Sequence, residues 1–155
     1  MKRSLILSTI GVVALASAAL SATAPDRGTP EQAQAMLQKA IAHYGMVGRT
    51  QALADFNAKK APFADRDLYV FCIGPDRTLV ADGGFPEYVG RSADEIKDVD
   101  GNSIGKAGWD VATTKGGGEV RYNWFNPVLL LLEPKISFFT RAGNDVCGVG
   151  AYNPG

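Results

Sequence analysis

Apolar residues recur at helical spacing early in the chain and at strand spacing toward its end. Ala33, Met36, Leu37, Ala40, Ile41 and Tyr44 fall on one face of a 3.6-residue period, which predicts an amphipathic helix. Its start is marked by Thr29-Pro30-Glu31-Gln32, a capping-box pattern with proline at the first helical position. Gly45 and Gly48 predict its end. A shorter helix is expected from about Thr50 to Ala58, with Leu53 and Phe56 inward. At Leu68 the period changes. LYVFCI is a run of strand formers, Gly74-Pro75-Asp76-Arg77 is a turn, and TLVAD (78–82) is a second strand, which makes a hairpin.

Gly83-Gly84-Phe85-Pro86 breaks that strand, and Ser92-Ala93-Asp94-Glu95 repeats the capping-box pattern, predicting a short helix. A further helix is expected from Ser103 to about Lys115. Residues 116–153 then read as three consecutive strands with short turns. Helices near the start and middle of an antiparallel sheet make an α+β arrangement.

Composition narrows the picture. The 155 residues carry no formal net charge and are 46% hydrophobic, which suits one domain with a substantial core. No basic cluster is long enough to track a phosphate backbone, which argues against nucleic acid as a partner. Residues 1–24 have the three parts of a secretory signal: Lys2 and Arg3, an uncharged apolar stretch from Leu5 to Leu20, and Ala22-Thr23-Ala24 as a small-residue cleavage site. The mature start is expected between Ala19 and Pro25, in a periplasmic or secreted protein. The alternative is an uncleaved membrane anchor.

The chemistry in the sequence favours binding over catalysis. His43 is the only histidine and falls on the polar side of the first helix, so no Ser-His triad or histidine-rich metal site can be assembled. Asp98-Val99-Asp100-Gly101-Asn102 imitates a calcium loop, but Ser103 and Trp109 stand where that loop needs Gly and Glu, so a turn is expected. Val120, Tyr122, Trp124 and Asn126 share one strand face, as do Gly148, Gly150 and Tyr152 on the last strand. Two glycines beside a tyrosine remove volume from a sheet and can leave room for a ligand or a closely packed element. Lys135, on the strand between, could meet a carboxylate. The same residues also suit a plain core, with Lys135 as a solvated edge charge.

DLYVF, VGR, DVDG, the Y-x-W-x-NP run, PK-x-S and a closing GVGAY follow one another in this chain. Together they resemble the single-Cache domain of bacterial extracytoplasmic sensors over roughly residues 30–153, placing one domain at 28–153. The resemblance implies a PAS-like five-stranded antiparallel sheet in the order 2-1-5-4-3, counting strands along the chain. It also implies a long N-terminal helix on one face, short crossover helices, and a small-molecule pocket on the other face. Small organic acids are the usual ligands, and Tyr122, Trp124, Lys135 and Tyr152 are then expected to border one cavity, without a cofactor. Such domains usually belong to chemoreceptors or histidine kinases. Here the sequence ends at Gly155 after the last strand, so a separate membrane sensor or receptor is the expected partner.

Two departures from that pattern matter. Asp82 stands where the family commonly has His, which would change the accepted ligand if the position faces it. Val128-Leu129-Leu130-Leu131-Leu132 replaces a polar hairpin turn. Those five residues suggest a contact with lipid, a partner or a second copy, or a tip folded onto its own domain. With a degenerate pocket, the same fold would act as an interaction module through its surface or this tip. Cys72 and Cys147 lie on strands that the family's sheet makes neighbours. In the antiparallel register that pairs Leu68 with Ala151 they face each other, and either a disulfide or two buried thiols is consistent with that.

Overall fold

The computed structural model describes residues 26–154, so the expected export signal lies outside the described residues. Helix α1 (Pro30–Val47) starts as its capping box dictates. Thr29 Oγ1 accepts from the Gln32 N–H, and Gln32 Oε1 accepts from the Thr29 N–H. Gly45 does not end it. The helix runs on to Gly48, whose φ of 82° suits glycine, and α2 (Arg49–Asn57) begins at once.

Five strands of four or more residues follow: β2 (Leu68–Ile73), β3 (Leu79–Asp82), β4 (Gly117–Asn126), β5 (Leu131–Ala142) and β6 (Asp145–Tyr152). A two-residue strand, β1 (Ala64–Asp65), precedes them and has no sequence signal of its own. All pairings are antiparallel. The sheet runs β1-β2-β6-β5-β4, with β3 also paired to β2. Between β3 and β4 lie two 3-10 turns, Pro86–Tyr88 and Ala93–Glu95, and helix α3 (Ile104–Lys115), capped by Ser103. The box expected at Ser92 does not form. Its side chain caps nothing, its backbone bridges Thr78, and only one tight turn follows.

Strand alternation divides the sheet into two faces. Leu68, Val70 and Cys72 of β2, Ile136 of β5, and Cys147, Val149 and Ala151 of β6 meet Met36, Leu37, Ala40 and Phe56 of α1 and α2. Cys72 pairs in register with Cys147, and a disulfide joins them with their Cα atoms 4.0 Å apart. Tyr69, Phe71, Phe139, Val146 and Tyr152 point to the opposite face, covered by α3 and the 3-10 turns.

Ion pairs fix the helical layer. Asp145 is fully buried, accepting from the Tyr44 hydroxyl at 2.9 Å and from Arg49 Nε at 2.9 Å. Burial, reinforced by Asp145, pushes the Tyr44 hydroxyl up to about 12. His43 is not on a solvated face: it is half-buried, with Nε2 2.8 Å from Asp55 Oδ2. Lys60 first, then His43, holds the Asp55 carboxyl down at about 2. Asp98 accepts from the backbone N–H groups of Asp100 and Asn102, which closes the calcium-loop imitation into a turn.

Near the start of the described chain, Arg27 forks onto Glu133 at 2.5 and 2.6 Å. Asn126 Nδ2 bridges Glu133 and Asp67, and Asp67 also accepts from the Gly28 N–H. This network ties residues 27–28 to the base of the β4–β5 hairpin. The hairpin's tip does not fold onto the domain: Val128 is 55% exposed and Leu130 69%.

Candidate ligand-binding site

The second face of the sheet is not completely filled. A cavity of about 40 Å³ lies between it and the α3 layer, room for roughly three water molecules. Its floor is Tyr69, Phe71 and Ile73 of β2, Leu79 and Asp82 of β3, Tyr122 and Trp124 of β4, and Lys135 and Phe139 of β5. Tyr88, Ala93, Ile96, Ile104 and Gly105 close it. Most of the lining is apolar, with two charged groups among it, which is how small-molecule sites are usually built.

Lys135 is 2% exposed, so it is not a solvated edge charge. Its Nζ donates to the Tyr69 hydroxyl at 2.7 Å and to the Tyr152 hydroxyl at 3.1 Å. Tyr152 spends its own proton on the Phe125 carbonyl, so the 3.1 Å contact between the tyrosine hydroxyls is donated by Tyr69. Two of the three ammonium N–H groups are thereby used. Nζ also lies 4.2 Å and 4.3 Å from the ring centroids of Tyr69 and Tyr152. Burial pulls the ammonium down to about 7, against the opposing charges of Asp82 and Asp67.

Asp82 ends β3 and is 6% exposed. Its Oδ1 accepts from the Gly84 and Phe85 N–H groups at 2.8 and 2.9 Å, fixing the turn into Pro86–Tyr88. Oδ2 takes no hydrogen bond among the described residues. Burial raises this carboxyl to about 6, against the N–H groups of Phe85 and Gly84 and the charge of Lys135. Tyr122 donates to or accepts from Ser137 Oγ at 2.7 Å, and burial raises its hydroxyl well above the ordinary range. Trp124 stands edge-on to Phe85 and Tyr122, while Tyr88 stacks on Phe85.

Of the expected site residues, Tyr122, Trp124, Lys135 and Asp82 line this cavity. Tyr152 does not. It is 1% exposed and stands behind Lys135, fixing the amine rather than facing the space. Nor do the β6 glycines open room for a ligand. A Cβ on Gly150 would come within 2.4 Å of Lys135 Cε, and one on Gly148 within 2.7 Å of the Phe71 ring, so both make way for side chains of the fold.

Tyr69, Phe71 and Ile73 were not singled out by sequence reasoning. In an unbroken apolar run the period is hidden, although counting by twos from Leu68 separates them from the core-facing set. Asn126 shares its strand face with Trp124 yet joins the buried Arg27 network instead. Among the described residues no group of His, Cys, Asp or Glu could hold a metal ion, and no helix is long and apolar enough to cross a membrane.

The family model of the single Cache domain 2 matches residues 28–144. No curated protein matches the chain. Among solved structures, a methyl-accepting chemotaxis protein of Vibrio parahaemolyticus RIMD 2210633 shares 16% identity at a TM-score of 0.67, covering 79% of this chain and 86% of that one. The periplasmic sensor domain of a chemotaxis protein shares 22% identity at 0.61, covering 79% and 89%. A Cache chemosensory domain, solved as the structural basis for carboxylic acid recognition, shares 19% at 0.60, covering 79% and 87%. At these identities the likeness is one of fold.

Proposed function

The chain belongs to the single Cache domain 2 family, and from that premise we propose that it is an exported sensor module that binds a small carboxylate in the cavity beside Lys135. One observation carries this reading: a lysine nine-tenths or more buried, fixed by two tyrosine hydroxyls, lines a partly enclosed space with one N–H unspent. Burying an ammonium is unfavourable by several kcal/mol, and hydrophobic residues of the same volume stabilise a fold at least as well. Packing therefore gives no reason for Lys135. Meeting an anion does.

In this reading the aromatic wall of Tyr122 and Trp124 encloses the ligand's apolar part, and Tyr69 and Tyr152 hold the amine in place. A related Cache domain described for carboxylic acid recognition supports the ligand class. The module acts outside the cytoplasm and reports to a membrane receptor, as a binding protein and not an enzyme. Calorimetric titration of the protein with two- to four-carbon acids tests it. Saturable binding that Lys135→Met weakens by about tenfold or more is the expected result; no binding across the panel would discard the reading.

The exposed Val128, Leu130, Leu131 and Leu132 favour one second reading, an interaction module working through the hairpin tip. Retained partner binding in a Lys135→Met variant, lost on making the tip polar, would select it.

A further inference from the structure

Asp82 changes what the cavity can accept. It lines the same space as Lys135 but comes from the opposite part of the sheet, with β2 and β6 between β3 and β5. The two groups do not form an ion pair within 4.0 Å among the described residues. Each also keeps one bonding position in reserve. Lys135 has an N–H left after Tyr69 and Tyr152, and Asp82 Oδ2 is left after Oδ1 has taken the Gly84 and Phe85 N–H groups.

A simple carboxylate would satisfy only half of this arrangement. It would bring a second negative charge into a buried space where Asp82 already balances Lys135, and an uncompensated buried charge is strongly unfavourable. A ligand carrying its own cationic donor keeps the site neutral and uses both open positions. A cavity of about 40 Å³ admits only a small ligand, with little or no side chain.

We infer that the ligand is a small zwitterion of the size of glycine or alanine, its carboxylate on Lys135 and its ammonium on Asp82. This rests on the cavity being the ligand site, and deepens that reading by naming the class. Asp82 is then the specificity-determining residue, and Lys135 the anchor common to all acids.

The test is calorimetric titration of the wild-type protein at pH 6.5, between the values at which Asp82 and Lys135 titrate, with glycine, alanine, acetate and propionate, repeated on Asp82→Asn. Asparagine keeps the Oδ1 acceptor for Gly84 and Phe85, so the turn persists. The expected result is amino-acid binding at least tenfold tighter than acetate in the wild type. In Asp82→Asn the order should invert, with glycine weakened tenfold or more and acetate strengthened. Acetate binding as tightly as glycine in the wild type would overturn the inference while leaving the acid site intact. A wild-type preference for glycine that Asp82→Asn leaves unchanged would do the same. Absence of binding by either class, or glycine binding that Lys135→Met does not affect, would overturn both the inference and the site.

Discussion

The two faces of the central sheet are built from the same strands by opposite rules. On the α1 side, β2, β5 and β6 present Leu68, Val70, Cys72, Ile136, Cys147, Val149 and Ala151, all apolar and closely packed, with a disulfide across the middle. One residue further along the same strands, the α3 side receives Tyr69, Phe71, Lys135, Ser137 and Tyr152, and a cavity remains. The first face can be explained by stability alone. The second carries a buried amine, a buried carboxyl and unfilled space, each unfavourable for a fold by itself. A sheet can segregate these demands because its side chains alternate with a period of two, so neighbours in sequence serve separate layers.

If this division is correct, the largest loss of stability should come from the first face. Removing the Cys72–Cys147 bridge, by reduction or by paired alanine substitution, frees a loop with a sequence separation of 75. Chain entropy then predicts a loss of about 4 kcal/mol, read from urea unfolding of oxidised and reduced protein. Two reactive thiols in the unfolded, unreduced protein would show that the bridge is not there.

Lys135→Met should separate the faces most clearly. Carboxylate affinity is expected to fall by about 1.5–3 kcal/mol, the worth of a hydrogen bond to a charged group, in calorimetry. Unfolding stability should hold or rise, because methionine occupies a similar volume without charge. A large loss of stability would mean that the lysine belongs to the fold and the contrast between faces is false.

The pH profile sharpens the same point. Lys135 titrates near 7 in the folded protein, below its unfolded value, so between neutrality and about pH 10 the unfolded chain binds the extra proton and stability rises with pH. Asp82 titrates near 6, above its unfolded value, so the folded state binds the extra proton and stability falls as pH climbs from about 4 to 6. Together they place a shallow minimum near neutrality. Between pH 7 and 8 the lysine's rise should be on the order of 1 kcal/mol in urea melts, and it should vanish in Lys135→Met. A rise that persists in that variant would assign the titration elsewhere.

The smallest effect belongs to the tip, which lies on neither face. Leu130 is 69% exposed and sits at φ 57°, where a leucine is strained. Leu130→Asn should therefore change stability by no more than about 0.5 kcal/mol, toward stabilisation, in the same melts. A marked loss would show that the tip is packed against something in solution.

Local pattern made much of the fold legible. The 3.6 period from Ala33 to Tyr44 and the Thr29 box marked out α1, and the change of period at Leu68 marked the sheet. The same local reading failed at Ser92, because a capping box needs a helix to cap and the chain there makes only one turn before bridging Thr78. The site was legible in part. Tyr122, Trp124 and Lys135 stood out as chemistry on alternating strands, whereas Tyr69 was concealed in a run with no polar partner to reveal its phase. The support given by Tyr152, in place of a cavity contact, followed from where Lys135 Nζ ends.

The sequence by itself determined which residues share a helix or strand face and where most elements begin. Those preferences arise from hydrogen bonds and sterics within a few residues, and a 3.6 or 2.0 period expresses them directly. Tertiary structure alone decided that Asp82 and Lys135 line one cavity, that Arg27 reaches Glu133, and that the room beside Gly150 is taken by a lysine. Each depends on the order in which strands distant in sequence lie side by side, and on the volume left where four or more segments meet. No local energy fixes either quantity.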